Sequence, residues 1–315
     1  MLLLFLCSSL VDRRCSALQI HHRRSLTSKR GVKREEIEDK VVWITGASRG
    51  IGEVLAKQFA SLGAKLILSA RDEAELERVK KQLTGKYAPN ELKILPLDLT
   101  AGEESLKEAV VKAEALFPGA GIHYMIHNAA YERRKTPALD VDEEILMMTF
   151  NVNVLGTISL TRLLAPFMLR RVGGHFVVMS SAAAKTPAPS QAVYSATKFA
   201  LNGYFHSLRS ELYPKGIKVT VVCPGPIETG SGASNSEKKL SSERCAELTI
   251  IAASHNLKEV WISNQPVLAV MYLVQYMPAI GFWLMDKVGA RRVEAAKQKG
   301  NTYSLGLLFG KKKVT

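Results

Sequence analysis

The chain has 315 residues, 47% of them hydrophobic, so it can bury one large α/β core, and no internal repeat or low-complexity tract indicates several domains. The formal net charge is +14, but the two ends of the chain account for 13 of these charges. Residues 1–34 contain eight basic and one acidic side chain, and residues 286–315 contain eight basic and two acidic side chains. The nearly neutral middle argues against a basic groove on the folded body, and we expect no nucleic-acid partner.

Residues 1–39 are predicted to form a targeting or membrane-anchor extension outside the fold. The apolar run at 2–11 is too short for a bilayer, which needs ~20 residues. A secretory signal would carry its basic residues before this run, whereas Arg13 and Arg14 follow it. The Arg- and Ser-rich, acid-poor composition is typical of a mitochondrial or plastid transit peptide, and the apolar start with a basic flank fits a shallow membrane anchor.

Residues 40–263 alternate strand-like and helix-like segments and are predicted to form a single domain. The strand candidates lie at 41–45, 65–69, 92–97, 122–127, 175–180 and 218–223, with a shorter one at 259–263. Successive strands are separated by stretches long enough for crossover helices. This pattern predicts a parallel sheet covered on both faces, which is a doubly wound α/β (Rossmann) fold with ligands at the carboxyl ends of the strands.

The first strand runs into the glycine-rich turn TGASRGIG at 45–52, which a helix-like stretch follows. In such a turn Gly46 permits the tight bend, Gly50 lets the backbone approach a pyrophosphate, and Gly52 lets the helix pack on the strand. The N–H groups at the start of the helix then face the anion. The turn therefore predicts a dinucleotide site.

The second strand ends in LILSARD, where an NAD enzyme would carry an acidic residue for the ribose 2′-hydroxyl. Arg71 stands there instead, and its guanidinium, helped by Arg49, suits a 2′-phosphate, which favours NADP(H) over NAD(H). The alternative role of Arg71 is an ion pair with Asp72 or Glu75. Asp98, after the third strand, could accept a hydrogen bond from the adenine amino group, cap the next helix, or do both.

Tyr194 and Lys198 lie four residues apart in a helix-like run, so their side chains share one face. A phenol with a pKa near 10 is a poor acid–base group at neutral pH, and an adjacent ammonium lowers that pKa because it favours the phenolate. Ser181, thirteen residues upstream of Tyr194 at a strand end, can face the phenol across a cleft and bind the same substrate oxygen.

The order of these motifs resembles the short-chain dehydrogenase/reductase superfamily over residues 40 to about 230. The matching segments are TGASRGIG, LDLT around Asp98, HNAA at 127–130, FNVNVLGT at 150–157, YSATK at 194–198 and CPGPIET at 223–229. The resemblance implies that Tyr194 donates or accepts the proton and that Lys198 lowers its pKa and binds the nicotinamide ribose. It further implies that Ser181 positions the carbonyl and that Asn153 holds a proton-relay water.

The resemblance also implies the cofactor-binding set. These residues are Gly46, Ser48, Arg49, Gly50, Ile51, Gly52, Arg71, Asp98, Asn128, Tyr194, Lys198, Pro224, Gly225, Ile227 and Thr229. Thr229 would contact the nicotinamide carboxamide. The sequence departs from the family at His127 and Ala130, where Asn and Gly are usual, and the methyl group of Ala130 would stand close to the cofactor. The cysteines show no CxxC spacing, so no metal site is expected.

The loop at 185–193 and the segment after Thr229 are expected to flank the reacting end of the cofactor, with the polar run at 230–243 mobile until a ligand binds. Beyond the common core, residues 242–278 resemble the family member 7 branch, which is related to the 11-beta-hydroxysteroid dehydrogenases. That branch implies membrane-associated, NADP-preferring reductases of lipophilic carbonyls such as steroids and retinoids. The alternative is a membrane-associated nucleotide-binding scaffold without turnover.

Residues 264–315 are predicted to be an apolar segment followed by a basic tail. The run at 266–285 contains one amide and no charge and is long enough to span a bilayer, but Pro266, Pro278 and Gly281 interrupt the helix. The run could instead close over the sheet edge or form a dimer interface.

Basic residues flank this apolar run at 287–299 and 311–313, and the chain begins with a second apolar stretch at 2–6. Two weak anchors hold a protein on a membrane where one does not. We therefore expect a monotopic protein on the endoplasmic reticulum membrane. We also expect the protein to form a homodimer. Import into a plastid or mitochondrion is the alternative.

Overall fold

The structure of the protein is a computed structural model that describes residues 31–131, 136–171, 173–228 and 239–297. Its strands are β1 (Val41–Thr45), β2 (Lys65–Ser69), β3 (Lys93–Ile94), β4 (Tyr124–His127), β5 (Gly174–Met179), β6 (Ile217–Pro224), β7 (Ile227–Glu228), β8 (Leu240–Ser241) and β9 (Glu259–Ile262). Seven of them form one parallel sheet in the order β3-β2-β1-β4-β5-β6-β9, while β7 and β8 pair separately. The predicted doubly wound parallel sheet is confirmed, including the seventh strand.

Helices connect the strands and cover the sheet. They are α1 (Gly50–Ser61), α2 (Glu73–Gln82), α3 (Glu103–Ala115), α4 (Glu143–Phe150), α5 (Thr157–Arg170), α6 (Ala192–Leu212), α7 (Ser242–Ser254), α8 (Val267–Tyr276) and α9 (Pro278–Lys297). Helical periodicity places the apolar residues of α3 on one buried face, at Leu106, Ala109, Val110 and Ala113. Asp72 caps α2, because its carboxylate accepts a hydrogen bond from the Glu75 amide at 3.1 Å.

Alternate residues of the strands fill two apolar cores, one on each face of the sheet. Trp43 and Phe176 belong to one core, and Ile44 and Phe59 belong to the other. All four side chains are fully buried. Burial on both faces explains why the strands read as continuous apolar runs in the sequence.

The third strand covers only two residues of the predicted range 92–97, and Pro96 follows two residues after its end. The pairing with β2 nevertheless continues on either side of this proline. Leu95 N donates to Leu68 O at 2.9 Å, and Leu97 N donates to Ala70 O at 3.0 Å. Asp98 is therefore still delivered to the carboxyl edge of the sheet.

The domain begins earlier than the predicted boundary after residue 39, because residues 31–39 also pack on it. Ile37 is fully buried in the core that contains Phe59. The Tyr124 hydroxyl donates to the Glu36 carbonyl at 3.0 Å, and Lys33 N donates to Ser254 Oγ at 3.3 Å. Residues 31–39 thus pack on the domain because Ile37 supplies an apolar anchor, whereas residues 1–30 lie outside the described part.

The C-terminal apolar run forms two helices packed on each other, α8 and α9. Pro266 precedes α8 and Pro278 begins α9, as the helix-breaking character of proline predicts. The predicted interruption at Gly281 is wrong, because this residue lies within α9. A Cβ atom at Gly281 would stand 2.6 Å from the Val274 Cα atom, so this glycine allows the two helices to approach closely.

Candidate functional site

The glycine turn lies where the order of strands reverses, between β1 and β4. Gly46 has a φ of 66°, and a Cβ atom there would lie 2.8 Å from the Ala129 Cα atom. Arg49 is the N-cap residue of α1, yet no side chain caps the amides of the first turn. The turn therefore has the close backbone approach and the uncapped helix start that suit a pyrophosphate.

Asn128 fastens this turn to β4. Its amide nitrogen donates to the carbonyls of Thr45 and Gly46, each at 3.1 Å. Thr45 in turn uses its hydroxyl to accept from the main-chain N–H groups of Asn128, at 3.1 Å, and Ala129, at 3.2 Å. Asn128 thus stabilises the glycine turn by binding its main-chain carbonyls.

Arg71 and Arg49 are both exposed at this edge of the sheet. The alternative ion pairs of Arg71 are absent among the described residues, because Asp72 caps α2 and Glu75 pairs with Arg78. The charge of Arg71 is therefore available to a ligand phosphate.

Arg78 is a residue of this region that the sequence did not single out. Its guanidinium donates to the Ser48 carbonyl at 2.9 Å and pairs with Glu53 at 2.9 Å and Glu75 at 2.8 Å. Hydrogen bonding to Glu53 raises the pKa of Arg78, and the same contact lowers the pKa of Glu53 against the effect of burial. Arg78 thereby stabilises the glycine turn through its hydrogen bond to the Ser48 carbonyl. The sequence contains no sign of this role, because charge spacing within one helix does not predict contacts between α2 and the turn before α1.

Asp98 does not cap α3, whose N-cap residue is Gly102. Its carboxylate accepts from the Thr100 amide at 2.9 Å and the Thr100 hydroxyl at 2.8 Å, which closes the turn after β3. The Asp98 side chain is half-buried. This arrangement leaves its other oxygen for the adenine role that the sequence predicts.

Tyr194 and Lys198 occupy the first turns of α6. Lys198 is 2% exposed, and its ammonium donates to the Met179 carbonyl at the end of β5 at 2.8 Å. The same ammonium lies 5.5 Å from the centre of the Tyr194 ring. A buried positive charge is thus held close to the Tyr194 ring.

Ser181 follows β5 and comes immediately before a short 3-10 helix, Ala182–Ala184, with its hydroxyl accepting from Ala183 N at 3.1 Å. The preceding residue, Ser180, donates its hydroxyl proton to the Asn202 side chain of α6 at 2.7 Å. This bond and the Lys198 contact with Met179 attach the end of β5 to α6. The structure therefore brings the elements that carry Ser181, Tyr194 and Lys198 together.

Asn153 lies in a π-helical turn, Asn151–Gly156, between α4 and α5. Its side chain is 1% exposed and accepts from Tyr131 N at 2.7 Å while donating to Tyr131 O at 3.1 Å. It also lies 3.2 Å from the Thr197 hydroxyl of α6. The amide thus joins the turn after β4 to the helix of Tyr194, and π-helical turns are frequent at functional sites.

The two departures from the family pattern differ in burial. His127 is buried between Phe176 and Phe205, and its Nε2 lies 2.8 Å from the Thr161 hydroxyl. Burial lowers its pKa to about 3, so the ring is neutral. Ala130 is exposed. The histidine therefore belongs to the core, whereas the alanine is exposed to solvent.

Pro224, the last residue of β6, and the following Gly225 lie beside β9. Gly225 N donates to Ile262 O at 2.8 Å, and a Cβ atom at Gly225 would stand 2.2 Å from the Ser263 hydroxyl. Ile227 lies in the short strand β7. The predicted cofactor residue Thr229 and residues 230–238 of the polar run lie outside the described part.

The junction of α8 and α9 exposes large apolar side chains. They are Tyr276, Met277, Ile280, Phe282 and Trp283. The other side of α8 is buried through Met271 and Val274. In the described part of the chain, the one helical run long and apolar enough to cross a bilayer is instead Glu143–Arg170, and half of its apolar window is buried in the domain.

Comparison with known proteins agrees with this geometry. The family model for short chain dehydrogenase matches residues 40–240. Dehydrogenase/reductase SDR family member 7 of Homo sapiens is 39% identical over 281 residues, which cover 83% of this chain and 81% of the relative. Dehydrogenase/reductase SDR family protein 7-like of Drosophila melanogaster is 35% identical over 288 residues, covering 84% of this chain and 85% of the relative.

A solved structure gives the same result for the fold. A short chain dehydrogenase from Burkholderia cenocepacia, crystallised in complex with NADP, superimposes with a TM-score of 0.67 at 26% identity, covering 79% of this chain and 98% of the other. The chain therefore belongs to the short-chain dehydrogenase family and is an oxidoreductase acting on CH–OH groups.

Proposed function

We propose that the protein interconverts a carbonyl and an alcohol on a lipophilic substrate with NADP(H), and that Tyr194 is its general acid and base. The observation that carries this proposal is the buried ammonium of Lys198 beside the Tyr194 ring, held there by the Met179 carbonyl. An ammonium in this position stabilises the phenolate that remains after the proton has left. General acid catalysis of this kind contributes about 10²- to 10⁴-fold to a rate.

The chain's own residues divide the remaining work. Ser181 would donate a hydrogen bond to the substrate oxygen, which orients the carbonyl toward the Tyr194 proton. Lys198 would bind the nicotinamide ribose as well as stabilise the phenolate. Asn153 would hold the proton-relay water, and its side chain already binds both main-chain groups of Tyr131. When bound, the nicotinamide cofactor supplies or accepts the hydride.

The cofactor proposed is NADP(H). A Cβ atom at Gly52 would stand 2.1 Å from the Gly46 carbonyl oxygen, so the turn keeps this conformation only with glycine in this place. Arg71 is exposed without an ion-pair partner among the described residues, and no acidic residue stands in its place to bind a ribose 2′-hydroxyl. The Burkholderia cenocepacia relative, whose structure contains NADP, supports this choice.

The proposed substrates are steroids, retinoids or related lipophilic carbonyls that enter from a membrane surface. The exposed apolar side chains of the α8–α9 junction support this, together with the exposed bases Lys287 and Arg291 that follow them. Basic residues near an anionic leaflet contribute about 1 kcal/mol each to binding. We propose the endoplasmic reticulum membrane as the location, with residues 1–30 as a second anchor.

A homodimer is the oligomeric state proposed. Met147 of α4, Leu155 of the π-helical turn and Phe199 of α6 expose apolar side chains. Burial of such side chains against a second copy is favourable, and two-fold symmetric dimers are the commonest soluble oligomers.

The rival function is a membrane-associated scaffold that binds nucleotide without turnover. Purified protein supplied with NADPH and a panel of steroid, retinoid and quinone carbonyls separates the two, with cofactor oxidation followed by absorbance and nucleotide binding followed by fluorescence. We expect oxidation with at least one carbonyl, and faster with NADPH than with NADH. Tight NADPH binding with no oxidation by any carbonyl, and no reduction of NADP by the matching alcohols, would favour the scaffold.

A further inference from the structure

The loop between Ser181 and Tyr194 contains one charged residue, Lys185. It is 9% exposed, although lysine is rarely buried without a partner. Its ammonium lies 2.9 Å from one carboxylate oxygen of Glu259 and 3.1 Å from the other. It also lies 5.4 Å from the centre of the Trp261 ring. A buried charge in a loop of small residues therefore reaches the edge strand β9.

Glu259 collects donors from two further places. The His206 Nε2 of α6 lies 2.7 Å from the carboxylate, and the Trp261 indole N–H donates to it. The Arg209 guanidinium lies 2.9 Å from His206 Nδ1, and because a guanidinium can only donate, the proton of this ring is on Nε2 and points at Glu259. Burial alone raises the pKa of Glu259, but His206 and Lys185 outweigh it and lower the pKa to about 2.

The backbone of Lys185 is held separately by the C-terminal helices. The Gln275 side chain of α8 donates to the Lys185 carbonyl at 2.9 Å. The Tyr272 ring of the same helix lies 4.8 Å from the Trp261 ring, centre to centre. Lys185 is thus fixed at its side chain by β9 and at its carbonyl by α8.

Lys185, which carries both attachments, lies in the sequence between Ser181 and Tyr194, the two residues whose hydroxyls are proposed to be catalytic. Ser181 begins the loop and Tyr194 lies just beyond it, so the path of the loop sets how they stand to each other. Part of the loop is in an uncommon conformation, because Ser190 has a φ of 64°. A loop of this kind keeps one path only where its surroundings hold it.

We propose that Lys185 is a positioning residue whose attachment to Glu259 and Gln275 holds the loop at residues 182–193, and through it the Ser181 and Tyr194 hydroxyls, in the reactive arrangement. This inference rests on the proposed function. Breaking the Lys185–Glu259 ion pair or the hydrogen bond from Gln275 of α8 should therefore slow the reaction. None of these three residues belongs to the predicted cofactor-binding set.

The test compares Lys185→Met, Glu259→Gln and Lys185→Arg with a control ion pair whose carboxylate is also largely buried. The control is Glu114→Gln, because Glu114 pairs with Arg171 at the end of α5, away from the loop. For each full-length variant, kcat and KM for a carbonyl substrate, the Kd of NADPH, and the melting temperature are measured. Hydrogen exchange is followed at the amides of Lys185 and Thr186, which donate to the Ala182 carbonyl at 2.9 and 2.8 Å.

Misplacement of reacting groups by about 1 Å costs on the order of 10²-fold in rate, so Lys185→Met and Glu259→Gln should lower kcat/KM at least about tenfold. The Kd of NADPH should stay within about twofold, and the Lys185 and Thr186 amides should exchange faster. Lys185→Arg, which keeps the charge, should recover most of the activity, and Glu114→Gln should lower the melting temperature without this kinetic change.

Two results would overturn the inference. One is kinetic constants of Lys185→Met and Glu259→Gln within twofold of the parent, and the other is a kinetic loss in Glu114→Gln that matches theirs. If the parent turns over no carbonyl, the proposed function fails, and unchanged exchange of the Lys185 and Thr186 amides would then also refute the attachment of the loop.

Discussion

Gly52 stands so close to Gly46 that a Cβ atom added to Gly52 would lie 2.1 Å from the Gly46 carbonyl oxygen. The same atom would lie 2.5 Å from the Asn128 side-chain nitrogen, which itself binds that carbonyl. The shorter contact is with a backbone carbonyl, so no change of side-chain rotamer can relieve it. The glycine turn, β4 and the start of α1 therefore form one tightly packed unit.

Gly52→Ala should consequently displace the turn. We expect NADPH binding to weaken at least about tenfold and the protein to lose about 1–3 kcal/mol of stability, as overpacking of a buried site does. Nucleotide titration and denaturant unfolding measure both effects. Gly203→Ala in α6 is the control, because a Cβ atom there meets nothing within 4 Å. Equal NADPH affinity in the parent and Gly52→Ala would contradict the role given to the turn.

Cofactor preference should depend on Arg71. Loss of a charge-assisted contact costs about 1.5–3 kcal/mol, so Arg71→Asp should weaken NADPH binding at least tenfold and spare NADH. Arg170→Asp makes the same charge change at the end of α5, which leads into the amino end of β5, and should alter neither nucleotide. The Kd values of both nucleotides for both variants decide the matter. An equal loss of NADPH and NADH affinity in Arg71→Asp would show that Arg71 is structural.

The sequence predicted the parallel sheet well, because each strand is buried on both faces and reads as an apolar run. It also identified Lys198 next to Tyr194, since residues four apart share a helix face. Both features depend on local periodicity, which a single sequence displays directly. The fold and the likeness to the family were accessible for this reason.

Contacts between distant segments could not be predicted in the same way. Arg78 meets Ser48 and Glu259 meets Lys185 only after the chain has folded, and their separations in sequence follow no period. The burial of Ile37 was missed because one apolar residue in a charged stretch gives no periodic signal. Gly281 was read as a helix breaker because its role, close packing against Val274, requires the neighbouring helix to be known.

Two buried histidines should make the fold sensitive to mild acid. Burial lowers the pKa of His127 to about 3, and burial together with the charge of Lys218 does the same for His175. The ordinary value of 6.5 applies in the unfolded chain. The unfolded state therefore binds more protons below pH 6.5, so stability is fully present above that pH and is lost as the pH falls from 6.5 toward 3.

Unfolding free energies from denaturant titrations at pH 7, 6 and 5 test this effect in a range where most carboxylates are ionised. Each buried ring should contribute up to about 1.4 kcal/mol per pH unit, so His127→Gln should reduce the slope by up to that amount. A slope that is the same in His127→Gln and the parent would contradict the assignment.

Membrane contact through the α8–α9 junction should depend on its exposed aromatic rings. Phe282 and Trp283 are 53% and 59% exposed, and burial of such side chains is worth about 1.5–3 kcal/mol each. The double variant Phe282→Glu, Trp283→Glu should bind vesicles containing an anionic lipid at least tenfold less tightly in sedimentation. Val111→Glu with Leu139→Glu, which removes two exposed apolar residues elsewhere, is the control. Equal vesicle binding by the two double variants would exclude the junction as the contact surface.

The most direct test of the proposed chemistry is single-turnover carbonyl reduction by Tyr194→Phe with NADPH already bound, compared with Tyr213→Phe, which alters an exposed tyrosine beyond the end of α6. Removal of the phenolic proton should lower the rate by about 10²-fold or more while the Kd of NADPH changes little, because the ring and Lys198 remain. Tyr213→Phe should match the parent. A Tyr194→Phe enzyme that reduces the carbonyl as fast as the parent would contradict the assignment of Tyr194 as the general acid.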